Sequence, residues 1–474
     1  MLHKTLKPFP EDFFWGASTS AYQVEGASLT NGKGPSVQDV KEPPAGTSGF
    51  EVAADQYHHY AEDVALMAEM GFKMYRFSIS WSRLLPEGTG RVNEEGVEYY
   101  NNLINACLEH NITPLVTMYH FDLPQALEEK GGWANRDTVD AFVEFSQLMF
   151  SRYGDRVHYW LTINEQNMMT LAAEAVMGID FSKFENPAKH VYEMNHNMLL
   201  AQAKAMCLCH SMLPDSKIGP APNIALVYPA SDKPEDIMAA QNFNALRNWL
   251  YLDMAVYGIY NHIVWAWLEE QDALPSNIQV GDMEIMKAAK PDFIAFNYYS
   301  TATVAMPGVN EDSTTGDQQR GATVEGFFKG VANPNLPRTE FNWEIDPTGF
   351  RNTLREVYGR YHLPIIITEN GLGAYDKLEV DEDGNEAVHD PYRINYLRAH
   401  IEQMRLAISD GVEMMGYNPW SAIDLISTHE GIVKRYGFIY VNRDEFDLKD
   451  LHRVRKDSFF WYKKVIESNG DDLA

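Results

Sequence analysis

Eight short apolar runs return at intervals along the chain, and the helical patterns between them leave few folds open. The runs are FFWGAS (13–18), MYRFSIS (74–80), TPLVTMYH (113–120), VHYWLTINE (157–165), IGPAPN (218–223), FIAFNYYS (293–300), PIIITENG (364–371) and VEMMGYNPWS (412–421). Helical patterns occupy 52–70, 94–110, 137–153, 187–211, 241–261, 282–290, 348–361 and 391–410, with a last one near 453–467. In the first of these Tyr57, Tyr60, Ala61, Val64 and Ala68 are spaced to share one face of an amphipathic helix.

A strand followed by a helix, eight times over, predicts an α/β protein built as a single closed parallel (β/α)8 barrel, the TIM barrel, over residues 1–474. The length alone would suggest about three domains, but such barrels routinely exceed the usual domain size without dividing. Pro220 and Pro222 make the fifth run the least strand-like. The stretches 28–50, 302–340 and 374–390 are polar and rich in Gly or Asp. They read as long loops on the strand-to-helix side, too polar to form a core, and long ordered loops are usually functional.

The formal net charge is −28, which argues against nucleic acid and anionic membrane surfaces as partners, so an anionic ligand needs a local positive patch. Cys107, Cys207 and Cys209 suggest no disulfide framework and no metal site. Neither His58-His59 nor the pair His196 and His210 has metal-ligand spacing with supporting acids, and Gly371-Leu372-Gly373 is too short for a dinucleotide fingerprint. No metal or cofactor is expected. The amino-terminal stretch MLHKTLKPFPEDFFWG lacks the apolar segment of a secretory signal, so the expected location is cytoplasmic.

Two of the strand runs end in acids. TINE places Glu165, and ITENG places Glu369, at the carboxyl ends of otherwise apolar strands. Active residues of a parallel barrel gather at that end, although either acid alone could be a solvated loop residue in a chain with 67 Asp and Glu. Paired carboxylates so placed suit cleavage of a glycosidic bond. One protonates the leaving oxygen, and the other traps the positive charge that develops on the sugar carbon.

The motifs QVEG (23–26), YRFSISW (75–81), YHFDLP (119–124), TINE, NYYS (297–300), ITENG and PWS (419–421) occur in the order found in family one of the glycoside hydrolases, which the chain resembles over nearly its whole length. The resemblance implies that Glu165 is the general acid and base and Glu369 the nucleophile. It places Gln23, His120, Asn164, Asn297, Tyr299 and Trp420 around the sugar and Trp343 on the aglycone side. Arg76 and Tyr299 should favour the ionised form of Glu369. Tyr298, the next residue in an alternating strand, should point into the core. The carboxylates of Glu165 and Glu369 are expected about 5–5.5 Å apart, the separation for double displacement.

The chain departs from the commonest family pattern after PWS, where an acid and a Trp usually hold the 4- and 6-hydroxyls. Here Ser427 and Thr428 stand in that stretch, and Lys434 and Tyr436 follow. This spacing resembles the phosphate-binding signature of the family's 6-phospho-glycosidases. An extended 434–436 segment would put Lys434 and Tyr436 on one face and Arg435 on the other. The loss of an acid beside two bases reads as a local reversal of sign. The implied substrate is a small phosphorylated β-glycoside, with gluco configuration favoured because Thr428 is small where 6-phospho-β-galactosidases commonly carry Trp. A 6-phospho-β-galactosidase or dual-specificity enzyme, hydrolysis of unphosphorylated β-glycosides and a non-catalytic sugar-phosphate sensor remain as alternatives, in that order.

Overall fold

A computed structural model describes residues 3–309, 311–314 and 322–474. Its centre is an eight-stranded parallel sheet made of β1 (Phe14–Ser18), β2 (Met74–Ser78), β3 (Thr113–Tyr119), β4 (Tyr159–Asn164), β5 (Lys217–Ala221), β6 (Ile294–Asn297), β7 (Ile365–Glu369) and β8 (Met414–Tyr417). The strand order is β5-β4-β3-β2-β1-β8-β7-β6. The β5–β6 seam has no regular ladder, because Pro220 and Pro222 bring no backbone N–H. It closes through single bonds: Asp292 N donates to Ile218 O, Asn297 N to Pro222 O and Ile224 N to Asn297 O. All eight sequence-derived strands are present, the proline-bearing one included.

Alternation along the strands divides the core. Met74, Leu115, Leu161, Ala221, Phe293, Ala295 and Ile366 fill the barrel, while Tyr75, Phe77, Trp160, Ile365 and Ile367 belong to the larger layer between strands and helices. That layer is covered by helices including Gln56–Met70, Glu94–Glu109, Asp137–Tyr153, Pro187–Met212, Pro347–Tyr361 and Pro391–Ser409. The predicted helix 241–261 begins earlier, with Pro234 at its first turn, and stops at Tyr257 because Gly258 turns left-handed at φ 67°. A separate helix, His262–Glu270, follows it.

Two of the three long loops are more structured than their polarity suggests. Ala302–Ala305, Thr323–Val324 and Phe328–Val331 form a small sheet with Val227–Pro229. The expectation that 302–340 is too polar for a core is therefore corrected. Val304, Phe327 and Phe328 are buried with Phe243 and Leu246 in a second apolar cluster, and the Phe243 and Phe328 rings stack at 4.1 Å. A few large apolar residues suffice because helix Pro234–Asn244 supplies the other half of the cluster. In the loop 374–390, Glu379–Val380 and Glu386–Ala387 pair as a short hairpin. The cysteines are free; Cys107 and Cys209 are buried and Cys207 partly so. Among the described residues, no helix is long and apolar enough to cross a membrane.

Candidate active site

At the carboxyl ends of the strands lies a narrow cleft. Gln23, His120, Asn164, Glu165, Tyr299, Trp343, Glu369, Trp420, Ser427 and Tyr436 line it. Ten of the thirteen residues singled out in the sequence thus share one wall; Arg76, Asn297 and Lys434 stand behind it.

Both acid-bearing strands lose register just before the acid: β4 against β5 between Leu161 and Asn164, and β7 against β6 between Ile367 and Glu369. Such irregularities re-aim side chains at the rims of barrels. Glu165 itself adopts a left-handed conformation, φ 43° and ψ 46°, where strand gives way to helix. A non-glycine residue there costs on the order of 1–2 kcal/mol, a strain that the surrounding hydrogen bonds must hold.

Those bonds are dense. Asn223 Nδ2 and Asn297 Nδ2 each donate to Glu165 Oε1 at 2.9 Å, and Arg247 donates to Asn223 Oδ1 at 2.6 Å. Glu369 Oε1 accepts from Arg76 Nη1 at 2.7 Å, and its Oε2 accepts from Tyr299 OH at 2.6 Å. Arg76 also donates to Thr117 Oγ1 and to Asn164 Oδ1. Asn297, expected at the sugar, is fully buried, with its amide donating to Asn164 Oδ1 and Glu165 and its oxygen accepting from Thr368.

Two donors on Asn164 Oδ1 fix which way that amide faces. Its NH2 must then donate to His120 Nε2, 3.0 Å away. Burial, and secondarily the Arg76 charge, holds His120 well below its usual pKa, so the ring is neutral with its proton on Nδ1. The indole of Trp420 stacks near this ring, centroids 5.9 Å apart. Gly371, next in ITENG, is required there: a Cβ would fall 2.1 Å from the Trp420 carbonyl oxygen. Gln23 donates to Ile426 O at 2.8 Å and accepts from Ser20 Oγ, tying the first loop to the segment that leads to Ser427. Tyr298 points away as expected, donating to Asp346 O, while Tyr299 reaches Glu369.

Burial first, and then the nearby Glu369 charge, pushes Glu165 up to about 7. Burial also raises Glu369; Arg76 and then Tyr299 pull in the expected direction but do not overcome the loss of water. The charge of Arg247 also lowers Glu165, after its amide partners, whereas the charge of Arg76 is the leading counterweight to burial at Glu369.

Farther along the cleft, Ser427, Lys434 and Tyr436 come together on the turn after PWS. Lys434 Nζ lies 3.7 Å from the centre of the Trp343 ring and is fully buried, and a Cβ on Gly373 would meet its side-chain carbon at 2.3 Å. Arg435 points the opposite way, as the alternation predicts, and donates to Asp424 Oδ2 at 2.8 Å. Arg393 donates to the carbonyls of Arg435 and Tyr436, and Lys456 bridges Asp424 and Asp376. This buried ion network anchors the backbone from which Lys434 and Tyr436 project.

The local reversal of sign is incomplete, which corrects the reading from sequence. Glu430 folds back, its Oε2 accepting from Ser427 Oγ at 3.1 Å and its Oε1 3.3 Å from Lys434 Nζ. Sequence reasoning missed Glu430, along with Asn223, Arg247 and Thr117, because none lies in a motif that announces its partner.

Comparison with known proteins accords with this geometry. The glycosyl hydrolase family 1 model matches residues 5–471. The chain is 46% identical to the aryl-phospho-beta-D-glucosidase BglC of Bacillus subtilis, over the whole of both chains. It is 40% identical to a 1,4-beta-D-glucan glucohydrolase of Thermotoga neapolitana, covering 98% of this chain and 99% of the other. Among solved structures, the family 1 β-glucosidase of Thermotoga maritima superposes with a TM-score of 0.87 at 37% identity, covering 98% of this chain and all of that one. The chain belongs to glycosyl hydrolase family 1.

Proposed function

We propose that this enzyme hydrolyses 6-phospho-β-D-glucosides, such as phosphorylated cellobiose or aryl and alkyl β-glucosides, to glucose 6-phosphate and an alcohol or sugar, with retention of configuration. The observation that carries the reading is that Ser427 and Tyr436 line the same cleft as the two glutamates, with the buried Lys434 ammonium behind them, 5.7 Å from the Tyr436 ring. A hydroxyl, a buried ammonium and a phenol suit a phosphate dianion, for which charge-assisted hydrogen bonds are among the stronger available.

In this reading Glu369 attacks the anomeric carbon while the bond to the aglycone oxygen breaks, and Glu165 gives that oxygen its proton. An acid near pKa 7 is protonated in a large share of molecules at neutral pH. The resulting ester on Glu369 is neutral, so the charge that helped raise Glu165 is gone and its carboxylate can take a proton from water. That water attacks the anomeric carbon, and Glu369 departs. Neutral His120, Asn164 and Gln23 suit sugar hydroxyls, Trp420 offers a platform for the ring, and the small Thr428 favours the gluco configuration.

A second reading, hydrolysis of unphosphorylated β-glucosides, draws on the Thermotoga neapolitana relative and on the carboxylate of Glu430. Matched assays of p-nitrophenyl β-glucoside with and without a 6-phosphate separate the two. The expected result is a strong preference for the phosphorylated substrate and a β-configured first product by proton NMR; equal efficiencies favour the second reading.

A further inference from the structure

Resting on that reading of the phosphate site, we infer that Glu430 is a specificity-determining residue: an internal anion that occupies the phosphate subsite when it is empty and that the substrate's 6-phosphate displaces. Two of its contacts are those a phosphate would make. Its carboxylate accepts from Ser427 Oγ at 3.1 Å and pairs with Lys434 Nζ at 3.3 Å.

The two partners differ in their relation to water. The Lys434 side chain is 1% exposed and the Glu430 side chain 33%. Burying an ammonium is costly unless it is paired, and Glu430 supplies Lys434 with a counter-ion from the solvent side. A phosphate carries more charge and more acceptor oxygens than a carboxylate, and it arrives tethered to a sugar already held by the rest of the cleft.

The backbone around Glu430 is fixed, which makes its departure a side-chain rotation. Ser427 N donates to Gly431 O, closing a tight turn, and Gly431 sits in the left-handed region at φ 67°. On the far side of that turn Glu445 accepts from Ile432 N, and a Cβ on Gly431 would meet Glu445 at 2.2 Å. A neutral 6-hydroxyl has no charge with which to displace Glu430 from Lys434. The carboxylate therefore counts against unphosphorylated sugars as well as reserving the site, discrimination by a competitor built into the protein.

The test is inhibition by glucose 6-phosphate and by glucose, together with kcat and KM for p-nitrophenyl 6-phospho-β-glucoside, in wild type, Glu430→Gln, Glu430→Ala and Lys434→Met. Removing the competing charge should lower the inhibition constant of glucose 6-phosphate and the KM of the phosphorylated substrate by about threefold to tenfold, the scale of a partly exposed ion pair. Both Glu430 variants should move in that direction. The gain should vanish when Glu430→Gln is combined with Lys434→Met, because the competition is for that ammonium. Weaker or unchanged glucose 6-phosphate binding in both variants would overturn the inference and make Glu430 a residue that merely positions Lys434. If wild type binds glucose no less tightly than glucose 6-phosphate, the phosphate site itself fails and this inference with it. Preference retained without improvement in the Glu430 variants defeats only the displacement.

Discussion

The two ends of the cleft solve the problem of buried charge in opposite ways. Around Glu165 and Glu369 the partners come from strands and loops across the barrel: Arg76, Thr117, Asn164, Asn223, Arg247, Asn297 and Tyr299. At the other end, Ser427, Glu430, Lys434 and Tyr436 all lie on one turn, and the balancing charge is a partly exposed side chain. The first arrangement holds the reacting groups before the substrate arrives, as stabilisation of developing charge requires. The second leaves one partner replaceable. In the proposed reading, reaction chemistry is built on the rigid scaffold and substrate choice on a local segment, which can change sequence without disturbing the barrel.

That contrast predicts unequal costs. Glu369→Ala should be the most damaging change, lowering kcat for every substrate by on the order of 10⁴-fold or more, with partial recovery when azide or formate substitutes as nucleophile. Stopped assays with and without azide check this, and an α-configured azide adduct identifies the position attacked. Next, Glu165→Gln should cost roughly 10²–10⁴-fold on substrates with poor leaving groups and far less on activated aryl glycosides. Equal losses across a leaving-group series would reverse the assignment of the two acids.

A change at the other end should be milder and selective. Lys434→Ala should reduce kcat/KM for the phosphorylated substrate at least about tenfold, the scale of a charged hydrogen bond, while moving the neutral analogue little. A parallel loss on both substrates would mean that the two ends are not separable.

The smallest effect expected is a displacement of the pH profile. In the proposed mechanism Glu165 is protonated for the first step, so kcat/KM should fall as pH rises through about 7. Asn223 donates to this carboxylate and favours its ionised form. Asn223→Ala should therefore raise the pKa further and move the alkaline limb to higher pH. A limb that moves down, or stays in place, would show that Asn223 does not act on the acid.

Much of this arrangement is legible in the chain because it depends on strand periodicity. Alternation separates Tyr299, which faces Glu369, from Tyr298, which faces Asp346, and separates Lys434 from Arg435. The acids are visible because each ends an otherwise apolar run. What stays hidden is pairing between distant segments. Nothing near Arg247 in sequence points to Asn223 and Glu165, and nothing near Lys456 points to Asp376 and Asp424. Glu430 is a different case: it is close to Lys434 in sequence, but only the fold of the turn shows that its carboxylate returns to the same place. The small sheet around Phe327 and Phe328 escapes notice because its apolar residues are few and its other half comes from a helix far back in the chain.

The most direct test of the phosphate-specific end is a crystal structure with glucose 6-phosphate bound. The sugar is expected beside Trp420 and His120, the phosphate against Ser427 Oγ, Lys434 Nζ and Tyr436 OH, and the Glu430 carboxylate rotated out towards solvent. A phosphate bound elsewhere, with Glu430 still paired to Lys434, would contradict that arrangement.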